Sequence, residues 1–182
     1  LQVHPPSKIA EKLSGEPKTE NWYVAEASQD ACLFAGLKRG TSRESFRRAL
    51  CNNEAESLCH RFASKKGDSI LVESGRVHAI DSGNLILEIQ QNSDTTYRVY
   101  DWERLGLDER PRTLHVEESM RCIDFKDYEP KPISTITEKG IETIAESKFF
   151  RIRKFNLKQN DSIDIKDHNS DTLMIHTLEG RL

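Results

Sequence analysis

Between Gly67 and Val116 the chain is a succession of short apolar or alternating runs broken by turn residues. Ser69–Val72, Val77–Ile80, Asn84–Gln90, Thr95–Tyr100 and Thr113–Val116 each read as a strand, with Gly, Asp, Ser and Asn between them. Spacing this close leaves no room for crossover helices. It predicts a sandwich or barrel rather than βαβ units.

The flanking regions fit around that block. Leu1–His4 alternates apolar and polar like the end of a strand, and Pro5-Pro6 then forbids further pairing. Asn21–Ala25 is aromatic and β-branched, a second strand. Thr41-Ser42-Arg43-Glu44 has capping-box spacing, and Phe46, Ala49 and Leu50 follow at helical intervals. A second short helix is expected over Glu54–Phe62, where Leu58 and Phe62 stand four apart, so residues 42–62 read as a two-helix insertion. Tyr128–Pro132 has the two prolines of a stiff linker, and Phe149–Leu157 and Thr172–Leu178 read as strands of another unit. The expected organisation is a domain over 1–128, then a linker and the start of a second, incomplete β unit over 129–182.

Composition narrows the function classes. Lys+Arg 27 against Asp+Glu 30 gives a net charge of −3, so no general polyanion-binding surface is implied and no nucleic-acid partner is expected. No apolar run approaches the ~20 residues of a membrane span. Cys32, Cys51, Cys59 and Cys122 form no CxxC pair, which argues against a zinc knuckle or a disulfide scaffold. A cytoplasmic protein, monomeric or weakly dimeric, is the expectation.

Chemistry concentrates on a few side chains. Gln2 and His4, two apart on a strand, point to one face. Glu20 lies on the approach to the next strand, and His78 follows Gly75, which could supply a tight turn. Two imidazoles, a carboxylate and an amide oxygen suit a divalent first-row metal with room for water or substrate. Singly, each is more readily structural, since a lone strand histidine is usually just a satisfied one. Alternation along Asn84–Gln90 puts Ile86, Glu88 and Gln90 on one face and Leu85, Leu87 and Ile89 on the other, a polar lumen against an apolar layer.

Gln2-Val-His4 followed by a glutamate resembles the first cupin motif, and the glycine-containing turn ahead of His78 resembles the second. Lys18-Thr-Glu-Asn-Trp-Tyr23, Val77–Ile80, Gly83–Asp101 and Leu114-His115 extend the likeness. Together they resemble the type I mannose-6-phosphate isomerases in their short bacterial form, over about residues 1–125. The resemblance implies a mainly β fold, the cupin double-stranded β-helix or jelly roll. It implies a zinc site of Gln2, His4, Glu20 and His78. Lys18, Glu88 and Arg98 would be catalytic, and Arg104 would help hold the phosphate of a sugar-phosphate substrate. The expected reaction interconverts mannose 6-phosphate and fructose 6-phosphate through a cis-enediol. A non-catalytic sugar-phosphate-binding cupin, or an inactive piece of a longer isomerase, is the alternative. Two departures stand out: Glu73 occupies a position where cupins commonly carry Pro, and strands that precede Gln-x-His in the family are expected to be missing.

Overall fold

One sheet with two differently occupied faces organises the chain, and strand alternation decides which side chain goes to which face. The computed structural model describes residues 1–138, 141–164 and 172–180. In chain order the elements are β1 (Gln2–Val3), α1 (Ser7–Ala10), β2 (Glu20–Ala27), β3 (Cys32–Leu37), α2 (Arg43–Cys51), β4 (Cys59–Ala63), β5 (Ser69–Val72), β6 (His78–Ile80), β7 (Asn84–Gln90), β8 (Tyr97–Arg98), α3 (Val116–Cys122), β9 (Ile136–Glu138), β10 (Ile141–Glu146) and β11 (Arg151–Phe155). They form three antiparallel sheets, ordered β4-β3-β6-β1-β8, β5-β2-β7 and β11-β10-β9. This is the mainly β, sheet-on-sheet architecture that the close strand spacing implied, and it agrees with the jelly roll that the resemblance implied.

Leu1, Val3, Phe34, Leu37, Val77 and Val99 leave one face of the five-stranded sheet and pack with Phe46 of α2 and Met120 of α3. Their neighbours Leu33 and Ala35 leave the other face and pack with Trp22, Val24, Ile70 and Val72 of the β5-β2-β7 sheet. The space between those two sheets is the lumen. Trp22, Phe46 and Leu33 are fully buried, and each such side chain contributes about 2–3 kcal/mol by leaving water.

Helix α2 forms where expected, with its cap one residue later. Ser42 Oγ accepts from Ser45 N at 3.1 Å and Ser45 Oγ accepts from Ser42 N at 2.9 Å, a reciprocal capping box. The second helix expected over Glu54–Phe62 is instead one 3₁₀ turn, Ala55–Leu58, followed directly by β4. Leu58 and Phe62 do not share a helical face: Leu58 packs toward the helices and Phe62 toward the lumen. The expected strand Thr113–Val116 does not form: these residues lead into α3, with His115 as its N-cap residue and Val116 opening the helix. Residues 172–177 take no regular secondary structure, so the expected strand Thr172–Leu178 does not form.

Strand β3 was not anticipated, and β9 and β10 add to the single strand expected before residue 157. A bulge between Phe34 and Leu37 lets both side chains face the helices. It carries Gly36 at φ +72°, where a Cβ would lie 2.5 Å from Pro130 Cδ. The Tyr128–Pro132 stretch therefore packs on the sheet. Leu37 N donates to Asp127 O at 2.9 Å, and Glu129 N donates to Leu37 O at 3.0 Å. The β9–β11 sheet adjoins the lumen sheet, with Lys154 Nζ 5.8 Å from the centre of the Tyr23 ring.

Candidate metal centre

Three residues separated widely in sequence arrive at one buried point. His4 leaves the end of β1, Glu20 opens β2 and His78 opens β6. All three are at most 1% exposed, and one potential ligand atom from each lies within 4.8 Å of the others. Gly75, at φ +93°, makes the turn before His78 and donates its N–H to His4 O at 2.8 Å, so that turn also positions the other imidazole. Gln2 pairs across the ladder with both His78 and Arg98. Directly opposed residues share a face, so His78, Gln2 and Arg98 form one row on the lumen side.

Hydrogen bonds fix how the two imidazoles present themselves. His78 Nδ1 lies 2.8 Å from Arg76 O and His4 Nδ1 lies 3.2 Å from Thr95 O. Donating those protons to carbonyls leaves both Nε2 lone pairs facing Glu20. His4 Nε2 is 3.0 Å from Glu20 Oε2, and His78 Nε2 is 3.5 Å from Glu20 Oε1. His78 Nε2 and Glu20 Oε1 are buried with no hydrogen-bond partner. Lone pairs gathered around a buried carboxylate repel unless a cation lies among them. The donor set therefore fits a divalent metal ion of the zinc type.

Electrostatics agree with that arrangement. Burial, reinforced by the charge of His4, pushes His78 down to about 3, so its imidazole is neutral at ordinary pH. Burial pushes Glu20 up, but the contact with His4 Nε2 and the charge of Lys18 nearby outweigh it and hold the carboxyl below its usual range. A neutral imidazole and an ionised carboxylate are the ligand forms a metal needs.

Toward the lumen mouth, Lys18 Nζ donates to Gln90 Oε1 at 3.1 Å and lies 3.7 Å from Glu20 Oε2. Glu88, opposite Trp22 in the β2–β7 ladder, accepts from Trp22 Nε1 at 3.1 Å. Burial first, and then the charge of Glu20, raise the Glu88 carboxyl. Arg98 Nη1 donates to Thr113 O at 3.1 Å, and its backbone is bonded to His115 on both sides. Arg104 stands apart from this group. It pairs with Asp101 at 2.9 Å and lies over Trp102, which packs on the helix-facing side of the sheet. Arg112 grips the same carboxylate, with its Nε 2.6 Å from Asp101 Oδ2.

Trp22 and Gln90 were not singled out as site residues in the sequence. Trp22 lies edge-on to His78 at 5.3 Å between ring centres while holding Glu88. The signal was present in the strand period, since Trp22 stands two after Glu20 and Gln90 two after Glu88.

Comparison with known proteins follows the same lines. No family model matches the chain. It is 35% identical over 187 residues to the Bacillus subtilis mannose-6-phosphate isomerase ManA, an alignment covering 99% of this chain and 58% of that protein. The crystal structure of the Bacillus subtilis mannose 6-phosphate isomerase superposes with a TM-score of 0.76 at 32% identity, over 86% of this chain and 51% of that one. A zinc-bound mannose 6-phosphate isomerase structure, at 11% identity, shares the fold with a TM-score of 0.59 over 80% of this chain and 56% of its own. The chain spans about half the length of the curated relatives it matches. Sequence and fold together make this chain a homologue of the mannose-6-phosphate isomerases, matched over about half of their length.

Proposed function

We propose that the chain carries the reaction centre of an aldose–ketose isomerase that interconverts mannose 6-phosphate and fructose 6-phosphate. The observation that carries this reading is the buried His4–Glu20–His78 cluster opening toward Lys18, Glu88 and Arg98, in a chain related to enzymes of that name. In this reading Gln2, His4, Glu20 and His78 hold one zinc ion. When bound, the ion supplies Lewis-acid stabilisation for negative charge on substrate oxygens.

The chain's own groups divide the remaining work. The reaction removes a proton from the carbon beside the carbonyl and returns one to its neighbour through a cis-enediol, so it needs a base within reach of both carbons. Glu88 suits that task because partial desolvation raises its carboxyl above the ordinary value and Trp22 holds only its Oε2. Lys18 is the other candidate, with its amine near Glu20 at the lumen mouth. The Arg98 guanidinium stabilises oxygen charge as the enediol forms. Arg104 is proposed as a phosphate partner: its side chain is 59% exposed, and Asp101 occupies one edge of a guanidinium with five donors. The same reading makes residues 1–128 the metal-bearing domain and 129–182 part of a second β unit.

A coupled assay for fructose 6-phosphate tests this. The chain should convert mannose 6-phosphate, lose activity on chelation and regain it with zinc. Arg98→Ala should reduce kcat by about 100-fold or more, as removal of an oxyanion-stabilising group does. Turnover that survives both chelation and Arg98→Ala would sink the reading, while ligand binding without turnover would favour a binding module.

A further inference from the structure

Lys18 is 7% exposed, yet its side chain has four rotatable bonds. A buried ammonium on so flexible a stem points in one direction only if an acceptor holds it there. Two acceptors are at hand: Gln90 Oε1 at 3.1 Å and Glu20 Oε2 at 3.7 Å. Glu20 serves badly once a divalent cation sits among His4, Glu20 and His78. The cation takes up the carboxylate charge and repels the ammonium beside it. Gln90 is neutral, belongs to β7 and stands directly opposite Glu20 in the ladder, so its hold on the amine does not weaken in that way.

The main chain around Lys18 is secured by other residues. Gln91 Oε1 accepts from Thr19 N at 2.9 Å, Gln91 N donates to Thr19 O at 3.1 Å, and Ser74 Oγ donates to Lys18 O at 3.0 Å. Loss of the Gln90 amide should therefore leave the backbone in place and release only the amine. The Gln90 side chain is exposed, so its replacement costs little folding stability.

We propose that Gln90 is a positioning residue that aims the Lys18 amine into the lumen when the metal centre is occupied. The proposal rests on the isomerase reading above for its catalytic consequence, but the effect on Lys18 is independent of turnover. The test uses the full chain, metal-free and zinc-loaded, with Gln90→Met, which removes the acceptor, and Gln90→Glu, which keeps an acceptor oxygen. Carbon–nitrogen correlation NMR of lysine side chains reads the order of Lys18.

In the zinc-loaded wild type Lys18 should give an ordered signal distinct from the exposed lysines. Gln90→Met should move it to the exposed-lysine position, and Gln90→Glu should retain it. Turnover should follow, with kcat down about 10- to 100-fold in Gln90→Met, as small misplacements of reacting groups cost. KM should stay within about two-fold, and bound zinc and Tm should be unchanged. An unaltered Lys18 signal in zinc-loaded Gln90→Met, or an unaltered kcat, overturns the proposal. If the wild type does not turn over while Gln90→Met still releases Lys18, the positioning role stands and the isomerase reading falls.

Discussion

Glu20 and Glu88 sit on paired strands facing the same lumen, and their surroundings push them in opposite directions. Glu20 lies between two imidazoles and near an ammonium, so its charge is held. Glu88, though exposed at the lumen, is partly desolvated and faces the charge of Glu20, partly offset by the Trp22 N–H, so its proton is held more tightly. Divergent environments of this kind fit the proposed division, with Glu20 toward metal ligation and Glu88 toward proton transfer. The folded chain binds the Glu88 proton more tightly than the unfolded chain does, so ionising Glu88 opposes folding. Relative to Glu88→Gln, the wild type should therefore lose stability as pH rises through the carboxylate range, and the two should converge in acid. Urea melts of the metal-free proteins at pH 4 and pH 8 check this, and equal midpoints at pH 8 would contradict it. Glu20→Gln should retain the fold but bind zinc with stoichiometry near zero by elemental analysis, because a neutral amide cannot replace the charge between the imidazoles.

At the scale of elements, stability rests on local devices that are tested one at a time. Replacing Ser42 with Ala removes the acceptor for Ser45 N at the start of α2, which should cost about 1 kcal/mol in chemical denaturation. Zinc affinity should stay unchanged, since α2 packs on the face of the sheet away from the lumen. Gly36→Ala should cost more, about 2 kcal/mol or above, because a Cβ there combines an unfavourable φ with a clash into Pro130. A melt unchanged from wild type would show that Pro130 gives way. These elements also show where sequence periodicity runs out. Leu58 and Phe62 have helical spacing, yet they serve opposite faces of a sheet, and no local pattern records that the chain changes from a 3₁₀ turn to a strand at Cys59. In β3 the bulge at Gly36 breaks the period of two, so this strand lacks a clean alternation signal.

At the scale of the molecule, the metal centre joins both lumen sheets: His4 and His78 come from the five-stranded sheet and Glu20 from the three-stranded one. An ion held across that gap binds the folded state and not the separated sheets, so zinc at 100 times its dissociation constant should add about 2.7 kcal/mol to unfolding. Thermal melts with zinc and with chelator measure this, and coincident transitions would show that the cluster does not bind across the sheets. The chain's strand content, the face shared by Gln2 and His4, and the polar stripe of Glu88 and Gln90 were legible in sequence, because a strand's period of two is a local property. The likeness to the isomerases named His4, Glu20 and His78 together, but tertiary structure alone decided the geometry in which they meet, that Trp22 spans His78 and Glu88, and that Arg104 pairs with Asp101. The reason is physical: alternation assigns a side chain to a face, whereas pairing register and the packing of one sheet on another choose what it meets there.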